Sequence, residues 1–206
     1  MIIQLRLPPG AVVREDALSD ELGIGRTPIR EALQRLARDQ FVTVLPRRGM
    51  LVTPIDVADL TVLYETRALL EPYAARLACG RGRPHDWAAM DDALAGRRGA
   101  DAAALLDVDR ACHEITWSAA GNRFLASTLD TLYAQSDRLW HLYLAGVADT
   151  SEAVGEHDDI LCALRARDAD RAALLVEAHV RAFDEQVRAA VARRLEPTPS
   201  ALAAAR

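Results

Sequence analysis

The side chains best suited to chemistry in this 206-residue chain are Asp109, His113, His157 and His179. Asp109 and His113 are four residues apart, which stacks them on one face of a helix. His157 and His179 fall in two later stretches of helical pattern. One carboxylate and three imidazoles converging from three helices make a donor set for Zn²⁺, Ni²⁺, Mn²⁺ or Fe²⁺, and a helical bundle interior is a usual place for one. A plainer reading stands beside it: buried histidines also serve as hydrogen-bonded core residues, and Asp-x₃-His arises on helices by chance. A catalytic version would need a general base and an open coordination position. Glu114 is the one acid adjacent to the pair in sequence, and it lies off their shared face. His85, following Pro84 at a helix start, is expected to be exposed. His141, beside Trp140, either lines a pocket or packs.

A second group could read DNA. Arg26, Thr27 and Arg30 open a short helix, where Arg can bond guanine O6 and N7 together and Thr can reach phosphate or a thymine methyl. Arg47, Arg48 and Gly49 form a basic turn suited to phosphate or minor-groove contact. On composition alone the three helix residues could equally be a solvated face. All 25 basic residues are Arg, as codon bias in a GC-rich genome would produce, so no single Arg is read as functional for its type.

The elements that must carry these residues follow from punctuation and period. PPGAVVR (residues 8–14) is a Pro/Gly turn entering a short extended piece. Glu15–Leu22 reads as a helix with Ala17, Leu18 and Leu22 on one face, stopped by Gly23-Ile24-Gly25. A second helix runs from Thr27 to about Arg38, with Thr27 as its cap, Pro28 in its first turn and Ile29, Leu33 and Leu36 as the buried stripe. FVTVLP (41–46) and MLVTP (50–54), joined by the basic turn, read as a two-stranded wing. From Asp56 no strand pattern is seen. Six helices are expected: 57–79, 85–95, 101–120, 123–145, 151–167 (capped by Ser151) and from Asp168 or Asp170 to about 194. Gly121-Asn122 stops the third. The fold class is mainly α, a winged helix-turn-helix over 1–55 and an all-α bundle over 56–195, with a frayed tail over 196–206.

Half the residues are apolar, enough for a sizeable core, and aromatics are only 5%, a balance that favours helices. Residues 1–54 hold 8 Arg against 6 acids and the remainder 17 Arg against 24 acids, a basic head on an acidic body. Cys79, Cys112 and Cys162 are odd in number and far apart, and are expected to be buried, reduced, small apolar residues. MIIQLRLPPG lacks a basic leader region, and no stretch reaches the roughly 18 uncharged apolar residues of a membrane span, so the expected location is cytoplasmic.

The strings GIGRTPIREALQRLARDQFV and LPRRGMLVTPI (23–42 and 45–55) resemble the GntR superfamily of bacterial transcription regulators, over about Pro9–Ile55. YETRALLEPYAARLA (64–78) resembles the start of the FCD effector domain of its FadR-like subfamily, so the resemblance reaches about Arg194. It implies that Arg26, Thr27, Arg30, Arg47, Arg48 and Gly49 contact a near-palindromic operator as part of a homodimer. It also implies a divalent metal on Asp109, His113, His157 and His179, since many FCD domains carry an Asp-x₃-His, His, His set. Arg67, and more weakly Arg138, would clamp a small organic acid effector; for Arg67 a salt bridge to Glu71 is the equal alternative. Six bundle helices rather than seven point to the VanR-like group. The implied function is a repressor released by its effector. The alternatives are a metal-dependent enzyme on small carboxylic acids and a helical interaction module without DNA binding.

The match departs from the family pattern at three points. Family members usually have a helix before the PPG turn, so operator binding is expected to be weak unless an upstream extension is restored. Gln40 stands where relatives tend to carry Gly. Asp16 stands where some carry a basic DNA-contacting residue. Asn122 is expected to cap a helix, and Trp117 and Tyr133 to be core.

Overall fold

The computed structural model describes residues 1–46, 49–143 and 150–195. The order is β1 (Val12–Val13), α1 (Glu15–Leu22), α2 (Arg26–Arg38), β2 (Val42–Leu45), β3 (Gly49–Val52), α3 (Val57–Arg81), α4 (Pro84–Ala95), α5 (Ala102–Ala119), α6 (Arg123–Tyr143), α7 (Thr150–Ala166) and α8 (Ala169–Leu195). The fold is an N-terminal helix-turn-helix with a wing, followed by an all-helical bundle. The expected end of the fourth bundle helix at Ala145, the Ser151 cap and the tail over 196–206 lie outside the described residues and side chains.

Gly23 ends α1 at φ 66°, a left-handed conformation that glycine adopts without a Cβ clash. The cap of α2 differs from the expectation at Thr27: Gly25 is the N-cap, no side chain caps the helix, and Thr27 lies inside the first turn. The helix can start early because Pro28 lacks only an N–H that the first turn leaves unpaired anyway. Ile29 and Leu33 are buried as the stripe requires, but Leu22, at the last position of α1, is 45% exposed. The wing gains a strand where the sequence pattern predicts only an extended piece. β1 pairs antiparallel with β3 (Val12↔Leu51) on the edge opposite β2 (Val42↔Val52), in the order β1-β3-β2. Backbone bonds from Gly10 N to Val52 O (2.9 Å) and Val52 N to Ala11 O (2.8 Å) extend that pairing.

Asp56, Asp101 and Asp168 begin α3, α5 and α8 by accepting from the amides of Ala58, Ala104 and Arg171. Asn122 does the same for α6 through Leu125 N. α3 packs most extensively along α8, α5 and α7 pack on each other and on α3, and α7 packs also on α8. Two cores result. The head core holds Val13, Leu18, Ile29, Leu33, Phe41 and Val52, and Ala134 of α6 in the bundle joins it. The bundle core holds Leu60, Met90, Leu129, Ile160, Val180 and their neighbours. Cys79 and Cys112 are buried, but Cys162 is exposed, because its neighbours Ile160, Leu161, Ala163 and Leu164 take the inward positions of α7. Among the described residues no helix is long and apolar enough to cross a membrane.

Candidate metal centre and DNA-reading face

α5 supplies Asp109 and His113 one turn apart, α7 supplies His157 and α8 supplies His179, all of them buried. One ligand atom from each lies within 4.8 Å of the other three. His157 Nε2 is 2.8 Å from Asp109 Oδ1, His179 Nε2 is 3.5 Å from the same oxygen, and His113 Nε2 is 3.6 Å from Oδ2. All three Nε2 atoms therefore point at one carboxylate. The opposite ring nitrogens are anchored in two cases: His113 Nδ1 stands 2.6 Å from Glu71 Oε2, and His179 Nδ1 2.7 Å from Glu156 Oε2. Carboxylates behind metal-binding imidazoles fix the tautomer with Nδ1 protonated and leave Nε2 free to ligate. His157 Nδ1 has no partner among the described residues.

This arrangement fits a cation. His113 Nε2 and His179 Nε2 face each other at 3.2 Å. With the His179 Nδ1 bonded to Glu156 and the His113 Nδ1 standing 2.6 Å from Glu71, both rings are set to keep their protons on Nδ1, and two Nε2 lone pairs would then oppose one another unless a proton or a metal lay between them. Burial alone would lower the His179 pKa, but its bonds to Asp109 and Glu156 outweigh that and raise it to about 9. His157, lacking a second carboxylate, is pushed by burial and by His179 down to about 4. Burial likewise disfavours the Asp109 carboxylate, yet the imidazoles around it hold its pKa well below the ordinary value. The centre thus holds an anion, neutral His157 and a proton on His179 that a divalent ion would displace.

Around the ligands runs a further layer. Tyr133 OH donates to Asp109 Oδ2 at 2.7 Å. Arg67 Nε donates to Glu71 Oε1 at 2.6 Å and Nη1 to Ser136 Oγ at 3.1 Å. The salt bridge weighed for Arg67 is therefore present, and Glu71 joins it to His113. Burial pushes Glu71 up, but the Arg67 charge and His113 bring it down to about 2. The structure does not bring Arg138 to this cluster. Its Nη2 donates to Thr53 O at 2.7 Å and its Nη1 to Gln135 Oε1 at 3.2 Å, facing the head. Glu71, Glu156 and the Tyr133 hydroxyl are the site residues that sequence reasoning missed. Glu71, four residues from Arg67, was the nearest to detection. Glu114 pairs with Arg110 at 2.6 Å, away from the cluster. His85 is exposed, and His141 pairs with Asp137 at 2.9 Å.

At the head, Arg26, Thr27 and Arg30 are all exposed on the first turns of α2. Arg30 is bidentate to Glu15 of α1, with its Nη2 at 2.8 Å, but its side chain keeps 62% exposure. Glu15 thus orients Arg30 without burying it. Gly49 opens β3 at φ 93°. Arg47 and Arg48 lie outside the described residues. Asp16 pairs with Arg14 at 3.3 Å and is half-buried.

This helix-turn-helix beside a wing, ahead of a bundle with a buried Asp/His cluster, coincides with two sequence matches: residues 1–52 to the bacterial regulatory proteins of the gntR family and residues 62–182 to the FCD domain. The chain belongs to the GntR family. It is 31% identical over 199 residues, covering 92% of this chain and 82% of the relative, to an uncharacterized HTH-type transcriptional regulator in an unstable DNA locus of Streptomyces ambofaciens. It is 28% identical over 190 residues, 91% of this chain and 89% of the relative, to the Nta operon transcriptional regulator of Aminobacter aminovorans. It is 26% identical over 191 residues, 91% of this chain and 84% of the relative, to the transcriptional repressor RspR of Escherichia coli K12. Among solved structures, E. coli McbR/YncC shares the fold at TM-score 0.80 and 22% identity, over 91% of each chain. This GntR protein is a DNA-binding transcriptional regulator with an FCD ligand-binding domain, not an enzyme.

Proposed function

We propose that this GntR regulator is a repressor that leaves its operator when a small organic acid binds at a divalent metal held by Asp109, His113, His157 and His179. The observation that carries this reading is the convergence of three buried Nε2 atoms on Asp109, two of them with Nδ1 tied to Glu71 or Glu156. Nitrogen and carboxylate donors of this kind suit Zn²⁺, Ni²⁺, Mn²⁺ or Fe²⁺. The ion would supply Lewis acidity toward an effector carboxylate. Arg67, buried and linked to the centre through Glu71, is the guanidinium assigned to that acid. Repression is supported by the repressor names of the relatives RspR and GlaR of E. coli K12.

On DNA, Arg26, Thr27 and Arg30 are assigned to the major groove and Arg47, Arg48 and Gly49 to the flanking backbone. A homodimer would present two such heads to a near-palindromic site. The test is metal analysis and native mass spectrometry of the purified protein, followed by mobility shifts on its own upstream intergenic DNA with citrate, lactate or gluconate added. Stoichiometric metal, a dimer mass and loss of the shifted band with one acid are expected. Protein that takes up no metal even from added Zn²⁺, or binding indifferent to all three acids, would overturn the reading.

A further inference from the structure

Among the described residues no hydrogen bond or ion pair joins the four proposed ligands to the head, yet both are fastened to the same short stretch of α6. At about 100° per residue, Tyr133, Ser136 and Trp140 share one face of that helix, and Ala134, Gln135 and Arg138 share the other. The first face belongs to the sensor: Tyr133 OH bonds the candidate ligand Asp109 at 2.7 Å, and Ser136 Oγ accepts from Arg67 at 3.1 Å. The second face belongs to the head. Ala134 sits in the head core, Gln135 Nε2 donates to Asp39 O at 2.8 Å, and Arg138 Nη2 donates to Thr53 O at 2.7 Å. Asp39 is the C-cap of the reading helix α2, and Thr53 is the residue after wing strand β3. The two bonds therefore hold both parts of the head to which DNA contacts are assigned.

The fastening is not close-packed. A cleft of about 430 Å³ runs between head and bundle, with Asp39, Thr53, Gln135 and Arg138 on its walls. Arg138 is only 2% exposed, its partners are neutral oxygens, and its Nε has none. Buried guanidinium groups are normally matched by carboxylates, and this one has in their place two neutral oxygens and the ring of the head-core residue Phe41, 5.5 Å away, a costly arrangement that again ties α6 to the head.

We infer that α6 sets the DNA-reading head against the bundle, with Gln135 and Arg138 as positioning residues and Tyr133 as the residue through which loading of the metal centre reaches them. This rests on the metal-responsive reading above. A cation on Asp109 withdraws charge from the oxygen that Tyr133 bonds, which weakens the hold on one face of α6. Asp39 and Thr53, fastened to the other face, then change position relative to the bundle. Coupling of this kind is a free energy between two sites carried by an element with two arrangements.

The experiment compares wild type with Gln135→Ala, Arg138→Gln and Arg138→Lys as full chains, with Zn²⁺ alone as the probe. Calorimetry should give the same Zn²⁺ affinity for all four. In mobility shifts, saturating Zn²⁺ should change wild-type DNA affinity about fivefold or more, and Gln135→Ala or Arg138→Gln should reduce that change to about twofold or less. Arg138→Lys, which keeps a donor for Thr53 O, should restore part of it. Hydrogen exchange should quicken at residues 38–42 and 52–54 in the two disruptive variants and stay unchanged in α5 and α7. A full Zn²⁺-dependent change in those variants, or faster exchange throughout the bundle, would overturn the inference. If exchange quickens only at the head but the wild type ignores Zn²⁺, the anchoring by Gln135 and Arg138 stands and the metal-responsive reading fails.

Discussion

His157 and His179 are the same residue type in the same buried cluster, and one carboxylate separates them. Burial would lower the His179 pKa, but its bonds to Asp109 and then Glu156 outweigh that and bring it to about 9, while His157, pushed down by burial and by His179 and supported by Asp109 alone, falls to about 4. The two make the stability of the metal-free fold depend on pH in opposite directions. The His179 contribution is full below its unfolded value of 6.5 and is lost as pH rises through about 9. That of His157 is full above 6.5 and is lost as pH falls through about 4. Because the ion must displace the His179 proton, Zn²⁺ affinity should rise about tenfold per pH unit up to near 9, with one proton released per metal bound. Calorimetry in buffers of different ionisation enthalpy would check this; pH-independent uptake would contradict it. Glu71→Gln should destabilise the chain by about 3 kcal/mol, since it strips the counter-charge from buried Arg67. It should also weaken Zn²⁺ binding about 10–100-fold through the lost support of His113. Type and spacing marked the four proposed ligands as a candidate donor set, and the family resemblance made it a proposed metal site. Glu156, Tyr133 and the head-facing bonds of Arg138 were not, since those contacts join residues far apart in sequence, one of them across 85 positions.

At the scale of elements, most boundaries followed from chemistry that the chain states locally. Aspartates cap α3, α5 and α8, Asn122 caps α6, and glycines end α1 and α4. β1 escaped notice because two residues are too few to show a period of two; its existence depends on β3 arriving beside it. Thr27 misled because capping preference describes a residue type, whereas Gly25 already supplied the extended backbone that a cap needs. The end of α2 carries a strained position. Gln40 sits at φ 64°, the left-handed region where a side chain costs energy and where the family resemblance expects glycine. Gln40→Gly should stabilise the head by about 0.5–1 kcal/mol, visible as a higher midpoint in denaturant unfolding. A loss of stability would show that the Gln40 side chain contributes more than its backbone costs.

Across the whole molecule, charge is divided between head and bundle. The basic side chains proposed to meet DNA lie in the head, while most of the acids lie in the bundle. The proposed two-fold assembly needs a self-complementary face, and α3 with α8 offers one. Leu69, Tyr73 and Leu174 are exposed around the groove between these helices, bordered by Glu65, Arg76, Asp170 and Arg181, which carry both signs of charge. Leu69→Glu should shift the protein toward monomer in analytical ultracentrifugation, with Zn²⁺ uptake retained. An unchanged sedimentation coefficient would place the interface elsewhere.

The ring packing inside the bundle has a practical outcome. Trp117 lies 5.5 Å from the His113 ring, and Trp140 meets edge-on, at 4.9 Å, the Tyr133 ring whose hydroxyl bonds Asp109, so one indole touches a proposed ligand and a second stands one residue behind. Open-shell ions quench nearby indole emission and closed-shell ions do not. The native protein therefore carries an optical gauge of its own occupancy: Ni²⁺ should dim it, Zn²⁺ should not, and a titration followed by intrinsic fluorescence needs no attached dye.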